Sequence, residues 1–377
     1  MTGRREIRAA FYRGGTSNGV VFNGKDLPKD RAARDKMFLG VLGSPDAYGR
    51  QLDGMGGGIS SLSKVVIVDP SSRQDADVDY TFVQIAVDEP VADYGSACGN
   101  MSSVVGPFAV EEGLVESVDG INRVRIHNTN TNQIYVSEFV VNDGLALEAG
   151  SFEIPGVSQT GAKIKLDFLE PGGSRTGKLL PSGAPINRIE MDGMGSIDIS
   201  MVDAANPVAF VRASDLGLSG AENPIELDAN SDLMAAMERL RRQAAVSMGM
   251  ANSADQSSLS NPKIAVVAPA QAFQALDGRT YDASTHDLCV RIVSMGKFHR
   301  AITLTGAMCT AVAVRIEGSL VQQICNSDTT LRIGTPSGVL PVDAQVTNGA
   351  QGPRADSATT YRTQRRIMQG AVLLPKA

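Results

Sequence analysis

The sequence predicts a mixed α+β fold in two domains, on three observations. The chain has 377 residues, which is more than one ordinary hydrophobic core accommodates. Short segments of alternating apolar and polar residues, typical of strands, outnumber segments with helical periodicity. Two distant segments resemble each other, which indicates two similar halves. The helices do not alternate regularly with the strands, so a doubly wound parallel sheet is not expected.

Strands are predicted where this alternation is clearest. In residues 78–87 (VDYTFVQIAV), Phe82 and Ile85 mark buried positions on opposite faces. Residues 133–141 (QIYVSEFVV) and 163–169 (KIKLDFL) have the same pattern. Each of these segments is therefore expected to form a strand.

Two helices are predicted from start and stop signals. The first runs from Pro28, in a first-turn position, to Gly43. The second begins after Asn230 or Ser231, either of which can cap it, and has one apolar stripe.

The internal similarity lies between residues 98–115 and 303–321. Both segments begin with glycine and small residues and continue into a helix-like stretch. A constant offset pairs Cys98 with Thr303, Glu112 with Glu317 and Gly113 with Gly318. We interpret the two segments as equivalent helices, each opened by glycine. Chance similarity between glycine-rich segments is the alternative.

The composition excludes several classes of protein. A net charge of −6 without any basic run argues against binding to nucleic acid or to a membrane surface. No apolar run approaches the ~20 residues that span a bilayer. The N-terminus lacks the apolar core of a signal peptide. We therefore expect a cytoplasmic protein.

Cysteine and histidine are too scarce for a structural metal site. The chain has four cysteines and three histidines, and no two cysteines form a C-x-x-C pair. The P-loop spacing and the dinucleotide-binding fingerprint are both absent. We therefore expect neither a metal nor a cofactor.

Cys98 is the cysteine whose surroundings point to chemistry. It lies in the segment GSACGNMSSVVG (96–107), where no bulky neighbour covers it. If CGN opens a helix, the thiol lies at the positive end of the helix dipole, which favours the thiolate and proton transfer. The alternative is a small buried side chain in a tight turn. Packing is the favoured role for Cys289, Cys309 and Cys325, which lie in apolar periodic segments.

Lys64 is the second candidate for proton transfer. It is the lone lysine at the start of the apolar strand SKVVIV, just after the glycine-rich segment DGMGGG. A lysine held at the edge of a core loses hydration and can act as a general base. The alternative is a solvated ammonium at a strand end.

Two further segments could hold a carboxylate. In RGGTSNG (13–19), backbone amides and the hydroxyls of Thr16 and Ser17 suit an anion. In SMGKFHRA (294–301), Lys297 and His299 could contact a carboxylate, and a solvated sheet edge is the alternative.

Taken together, these segments resemble the PrpF family, which includes 2-methylaconitate cis-trans isomerase and 4-oxalomesaconate tautomerase. The resemblance extends from about residue 8 to about residue 372. The matching motifs are YRGGTSNG, GSPDAYGRQLDGMGGGISSLSKV, ACGN, GPFAVEEGLV, LPSG, SMGKFHRA and TPSG.

The resemblance implies a diaminopimelate-epimerase-like fold. Each of two pseudo-symmetric domains is a curved, mostly antiparallel sheet around a central helix, with the active site in the interdomain cleft. The implied domains are 1–185 plus about 345–377, and 186–344. Epimerases of this fold use two cysteines, whereas here the second position holds Thr303. The family usually reads RGGTSKG, whereas Asn18 replaces that lysine here.

The resemblance also implies the activity and its residues. The expected reaction is a cofactor-independent allylic proton shift in a small unsaturated di- or tricarboxylate, with Lys64 and Cys98 as the catalytic pair. An amino-acid racemase and a non-catalytic carboxylate-binding protein are the alternatives, and a homo-oligomer stays open. The implied substrate-binding residues are Arg13, Gly15, Thr16, Ser17, Asp53, Met55, Gly56, Ser61, Gly99, Asn100, Met101, Ser182, Asn206, Lys297, His299, Thr303, Thr305 and Gly306.

Overall fold

A computed structural model describes residues 4–95, 97–191, 193, 195–350 and 352–375 of the chain. Ser96, in the predicted Cys98 segment, lies outside these residues. The chain divides into two compact units. Unit 1 comprises Met1–Phe168 and Tyr361–Ala377, and unit 2 comprises Leu169–Thr360.

Strands are far more numerous than helices, as the sequence predicts. The elements up to the end of β9 are β1 (Arg4–Gly14), β2 (Ser17–Asn23), α1 (Arg31–Leu42), β3 (Lys64–Pro70), β4 (Val78–Ile85), β5 (Ala92–Asp93), α2 (Ser102–Glu111), β6 (Gly120–Asn128), β7 (Gln133–Asn142), β8 (Leu145–Ala146) and β9 (Ile164–Leu169). The remaining elements are β10 (Asn187–Met191), β11 (Gly195–Ala204), β12 (Asn206–Arg212), α3 (Pro224–Ala229), α4 (Ser231–Ser247), β13 (Lys263–Pro269), β14 (Phe273–Gln274), β15 (Thr280–Tyr281), β16 (Leu288–Ser294), β17 (Lys297–Phe298), α5 (Leu304–Arg315), α6 (Leu320–Ile324), β18 (Leu331–Thr335), β19 (Gly338–Gly349), β20 (Gly352–Arg362) and β21 (Gln364–Pro375).

The two predicted helices form, with one correction. Helix α1 begins at Arg31 rather than near Pro28, because the carboxylate of Asp30 accepts the amide of Ala33 and caps it there. It ends at Gly43, as predicted, in the left-handed conformation. Helix α4 is capped by Asn230, also as predicted.

Unit 1 is a mixed sheet whose pairings follow a regular order. Strand β2 runs parallel to β3, β3 antiparallel to β4, β4 parallel to β6, and β6 antiparallel to β7. Helix α1 connects β2 to β3, and α2 lies between β4 and β6 in the chain. Strand β21, from the C-terminal end, pairs with β1. The chain ends therefore meet within this unit.

Unit 2 repeats this order. Strand β12 runs parallel to β13, β13 antiparallel to β16, β16 parallel to β18, and β18 antiparallel to β19. Helix α4 lies between β12 and β13 in the chain, and α5 between β16 and β18. The predicted similarity of two halves is confirmed, with α2 and α5 as counterparts.

Two neighbouring parallel strands are joined by a crossover connection. In unit 1, the buried helix α2 belongs to the crossover between β4 and β6. Its residues from Ser102 to Val110 are all buried, and it packs against β1, β4, β6 and β7. Met101, Val104 and Phe108 belong to the core around this helix. A second core, with Val65 and other residues of β3, lies on the opposite face of the sheet, under α1. Strand β3 is therefore covered on both faces.

Candidate active site

The β1–β2 hairpin positions the predicted Thr16 and Ser17 hydroxyls. Its two-residue turn is Gly15–Thr16, and Gly15 has φ +52. A Cβ on Gly15 would also collide with the side-chain oxygen of Asn100. Glycine is therefore required there by both conformation and space. The amide of Gly15 donates to the carbonyl of Thr363 (3.0 Å), and Arg13 donates to the same carbonyl (3.1 Å).

Cys98 lies in the turn that precedes α2. Its carbonyl accepts the amide of Ser102 (3.0 Å), the Ser102 hydroxyl (3.0 Å) and the Tyr80 hydroxyl (3.3 Å). The side chain is half-buried and is not in a disulfide. Three hydrogen bonds thus fix the backbone of a cysteine whose side chain keeps access to solvent.

The prediction that CGN opens the helix needs correction. Helix α2 begins at Ser102, and the amides of Ser102 and Ser103 donate to the carbonyls of Cys98 and Asn100 in the preceding turn. Within the described residues, no acceptor is recorded for the amides of Gly99, Asn100 or Met101. The amides available to an anion therefore belong to the turn rather than to the helix.

Asn100 joins this turn to the hairpin. Its side-chain amide donates to Oγ1 of Thr16 (3.0 Å) and lies 3.4 Å from Oγ of Ser17. Its side-chain oxygen accepts Nε of Arg362 (3.2 Å). The structure therefore brings four polar side chains together beside Cys98, three of which were predicted from the sequence.

Arg362 is the residue that sequence reasoning missed. It is only 7% exposed, and within the described residues it has no carboxylate partner. Burial lowers the pKa of Arg362 to about 10, and the negative charge of a Cys98 thiolate opposes that change. Arg362 is thus protonated at neutral pH and close enough to Cys98 for the two groups to interact electrostatically. The motif TTYRTQRR contains three arginines, and nothing local distinguishes the first.

We therefore expect Arg362→Met to make Cys98 less reactive. Removing a neighbouring positive charge makes the negatively charged sulfur of the alkylation step less stable, which should slow alkylation by about tenfold. Alkylation by iodoacetamide at pH 7, followed by mass spectrometry of the Cys98 peptide, measures the effect. Arg365→Met, an exposed neighbour on β21, is the matched control. Equal alkylation rates in the parent and the Arg362 variant would contradict the assignment.

Lys64 is the first residue of β3 and is 8% exposed. Its Nζ donates to Oε1 of Gln84 (2.7 Å) and lies 5.0 Å from the ring centroid of Phe82. The Gln84 amide is held in turn by the carbonyls of Ser60 and Ser63 (3.0 Å each). No carboxylate pairs with Lys64 in the described part of the chain. Lys64 thus lies at the edge of a core, as predicted, and the side chain to which it donates a hydrogen bond is uncharged.

Lys64 and the Cys98 turn meet at Gly19. A Cβ built on Gly19 would lie 3.1 Å from Cβ of Lys64 and 2.9 Å from Cε of Met101. The absent side chain lets strand β2 approach both residues. Cys98 packs against the core around α2, and Phe82 of that core lies 5.0 Å from Nζ of Lys64, so both predicted catalytic residues border the same core of unit 1.

The glycine-rich segment 53–58 supports the start of β3. The amide of Gly58 and the hydroxyl of Ser63 both donate to Oε1 of the buried Gln51 (2.9 and 2.6 Å). Asp53 is exposed, and Met55, Gly56 and Ser61 are half-buried. The substrate contacts predicted for these four residues stay predictions.

Asn18 faces away from the Ser17 side of β2, because successive strand residues alternate. It is paired with Arg13 and lines a cavity of about 630 Å³ in unit 1 together with Arg13, Gln364 and Arg365. The replacement of the usual family lysine therefore falls on the opposite face from Asn100.

In unit 2, Thr303 is the N-cap of α5. Its hydroxyl accepts the amide of Gly306 (3.1 Å), and its carbonyl accepts the amide of Ala307 (2.9 Å). Thr303 therefore already occupies the amides of Gly306 and Ala307, and the substrate contacts implied for Thr303, Thr305 and Gly306 stay predictions. Thr305 is half-buried.

The other predicted residues of unit 2 differ in exposure. Lys297 is exposed at the β16–β17 hairpin, and His299 is half-buried after β17. Burial lowers the pKa of His299, and its Nδ1 accepts the amide of Ala301 (3.1 Å). Ser182 accepts the side-chain amide of Asn187 (2.8 Å), and Asn206 begins β12.

The remaining cysteines have the packing role predicted for them. Cys289, Cys309 and Cys325 are all buried, and burial raises the pKa of each thiol. Cys309 donates to the carbonyl of Val202 (3.3 Å). Among the described residues, no group of three or more histidine, cysteine, aspartate or glutamate side chains could hold a metal.

Comparison with known proteins identifies the family. The family profile described as PrpF protein matches residues 4–375. The chain belongs to the PrpF family. The resemblance inferred from its motifs is thereby confirmed over nearly the whole sequence.

Two curated relatives match this PrpF chain from end to end. The 3-methylitaconate isomerase of Eubacterium barkeri is 39% identical over 384 aligned positions, covering 100% of this chain and 99% of the relative. The 2-methyl-aconitate isomerase of Shewanella oneidensis is 36% identical, covering 98% and 97% respectively.

Solved structures confirm the fold class. The crystal structure of methylitaconate-delta-isomerase has a TM-score of 0.92 at 39% identity, covering 98% of this chain and 96% of that chain. A hydroxyproline epimerase from Agrobacterium vitis has a TM-score of 0.51 at 13% identity, covering 100% and 95%. The likeness to the hydroxyproline epimerase shows a shared fold and nothing beyond the fold.

Proposed function

We propose that this PrpF protein is an isomerase that moves a proton along the allyl system of a small unsaturated di- or tricarboxylate, without a cofactor. The observation that supports this most strongly is the placement of Lys64 and Cys98 in one region of unit 1. Both side chains can exchange protons, and the same unit offers backbone amides and hydroxyls that can donate hydrogen bonds to a carboxylate. Methylitaconate, methylaconitate and oxalomesaconate are substrates of the proposed class.

The reaction begins with removal of a proton from a carbon α or γ to a carboxylate. We assign this step to the side-chain amine of Lys64, whose recorded hydrogen-bond partner, Gln84, is uncharged. A general base in position contributes about 10²- to 10⁴-fold. The product is a dienolate, with its negative charge spread onto the carboxylate oxygens.

The dienolate needs fixed dipoles where its charge develops. The amides of Gly99, Asn100 and Met101 and the hydroxyls of Thr16 and Ser17 are the donors proposed for it. Because these groups are held by the hairpin and the turn, they need little reorganisation during the reaction. Cys98 then returns a proton at the far end of the allyl system, or at the same carbon after rotation.

The names of the relatives support this substrate class. A two-cysteine racemase is less consistent with the site, because the counterpart of Cys98 is Thr303, whose hydroxyl caps α5. The expectations of a cytoplasmic location and of a homo-oligomer stay predictions. Within the described residues, no helix has the length and apolarity needed to cross a membrane.

The test is a screen for solvent deuterium uptake. Aconitate, methylaconitate, methylitaconate and oxalomesaconate are incubated with the protein in D₂O and followed by NMR, with and without a chelator. We expect exchange and isomerisation of at least one acid, unchanged by the chelator. Exchange at the α-carbon of free amino acids alone would favour a racemase. Binding without any exchange would favour a carboxylate-binding protein.

A further inference from the structure

A row of three polar side chains crosses neighbouring strands of unit 1. Arg13 of β1 pairs directly with Asn18 of β2 on one side and with Arg365 of β21 on the other. Directly paired residues of antiparallel strands lie on the same face of a sheet. The two arginines and the asparagine therefore lie side by side.

The neighbours of the two arginines show which face this is. The ring of Tyr12, which precedes Arg13, packs against α2. Arg366, which follows Arg365, donates to a carboxylate of the same helix (2.6 Å). Because successive strand residues alternate, Arg13 and Arg365 lie on the opposite face. Cys98 packs against the core around α2, so the sheet separates the arginine row from it.

The row lines the cavity of about 630 Å³ in unit 1. Residues 148–149 and 157–160, from the segment that follows β8, line it as well, so every lining residue belongs to unit 1. Polar residues such as Ser158 and Thr160 lie there beside apolar ones such as Val157 and Ile367. A cavity of this size and mixed lining can hold a small metabolite.

The positive charges in the cavity exceed the negative ones. No ion pair is recorded for Arg13 or Arg365 among the residues that the structure describes. Burial lowers the pKa of Arg13, Glu148 opposes that change, and the charge of Arg365 adds to it. Glu148 also lines the cavity, and one of its oxygens accepts the backbone amide of Arg366 (2.5 Å). Like charges directly opposite each other destabilise a sheet, so an anion between the two arginines would relieve their repulsion.

We propose that this cavity is a second binding site of unit 1, for a small metabolite that carries a carboxylate or a phosphate group. Arg13 and Arg365 receive the oxyanion, because a planar guanidinium pairs with carboxylate or phosphate oxygens through two hydrogen bonds. Nη1 of Arg13 donates to the carbonyls of Gly15 and Thr363 (3.0 and 3.1 Å), which holds the guanidinium in place. The site gives Arg13 a role apart from the substrate contact implied for it, and it does not depend on the proposed isomerase activity.

The test measures the binding of inorganic phosphate and of succinate by titration calorimetry. We expect the parent to bind at least one probe, and Arg365→Met to weaken that binding by about ten- to a hundredfold, the effect of losing a charged hydrogen-bond partner. Arg365→Lys keeps the charge and should retain more affinity than Arg365→Met. Arg5→Met, at an exposed arginine of β1, is the matched control and should bind as the parent does.

The two probes distinguish the chemistry of the ligand. A dependence on Arg365 for phosphate alone assigns a phosphate ligand, and a dependence for succinate alone assigns a carboxylate. Succinate bound only at the proposed substrate site would be unaffected by Arg365→Met. Unchanged binding of both probes by Arg365→Met, or no binding of either by the parent, would overturn the proposal.

Asn18→Lys tests the same site by a gain of binding. The new ammonium adds a third positive charge beside Arg13. We expect it to strengthen the binding of phosphate by about fivefold, the effect of one further charge in a solvated cavity. Weaker phosphate binding by Asn18→Lys would contradict an anion site in this cavity.

Thermal unfolding separates binding from a structural role. Because Arg365→Met removes one of two facing like charges, its melting temperature without a probe should equal or exceed that of the parent. The rise in melting temperature that a bound probe gives the parent should be smaller in Arg365→Met. A lower melting temperature without a probe, with an equal loss of binding-competent protein, would overturn the proposal.

Turnover is read separately. With an acid found in the deuterium screen, Arg365→Met should leave kcat and KM close to the parent values, because its side chain and Cys98 lie on opposite faces of the sheet. A loss of turnover that parallels the loss of probe binding would show that the cavity belongs to the substrate site, and the second site would fail. If no acid is turned over while probe binding depends on Arg365, the proposed isomerase activity fails and the second site stands.

Discussion

Lys64→Arg is expected to bind the substrate and to lose nearly all isomerisation and deuterium exchange. Arginine stays protonated at every pH that a protein tolerates, so it can hold a carboxylate but cannot take a proton from carbon. The loss should be about 10²- to 10⁴-fold in kcat, the usual contribution of a positioned general base. Steady-state kinetics and NMR exchange rates in D₂O measure it, and titration with an unreactive dicarboxylate checks binding.

Two further variants make the Lys64 test specific. Lys36→Arg, at an exposed lysine of α1, should leave both rates unchanged. Gln84→Glu places a carboxylate where Lys64 now has a neutral partner, so it should hold the ammonium and slow exchange. If Lys64→Arg exchanged protons at close to the parent rate, the base would have to be the Cys98 thiolate, with Lys64 contributing only charge.

Cys98→Ser is expected to slow proton transfer by about 10²- to 10⁴-fold while substrate binding survives. The hydroxyl of serine is a much weaker acid than a thiol, so it is a poorer proton donor and acceptor near neutral pH. The backbone of the turn should be unaffected, since its hydrogen bonds use the carbonyl of residue 98 and not the side chain. Binding of an unreactive dicarboxylate should therefore stay close to that of the parent.

The buried cysteines supply the controls for Cys98→Ser. Cys289→Ser and Cys309→Ser should leave turnover nearly intact and chiefly reduce the melting temperature, because each places a hydroxyl in an apolar core. Equal losses of kcat in all three variants would show that Cys98 has a packing role rather than a chemical one. Alkylation of Cys98 in the native protein should also be slower in the presence of a tricarboxylate ligand.

Local patterns were sufficient for the elements and for several of the site residues. The strand β4 and the Asn230 cap of α4 follow from alternation and capping, which depend on neighbours a few residues away. Cys98 and Lys64 stood out for a similar reason, since a reactive side chain next to glycines or at the mouth of an apolar strand is visible in the sequence itself. The equivalence of α2 and α5 was also visible, as a faint repeat.

Side chains that approach from distant parts of the chain were decided by the tertiary structure alone. Arg362 ends β20, and the pairing of β1 with β21, which begins two residues later at Gln364, brings it to the end of β1, beside Asn100. No local pattern tells which strands of a sheet become neighbours. Gln84 reaches Lys64 for the same reason, through the register of β3 and β4. The sequence by itself therefore determined which residues are the candidates for proton transfer. Sheet pairing decided which partners surround them, because periodicity records the face on which a residue lies and not the strand beside it.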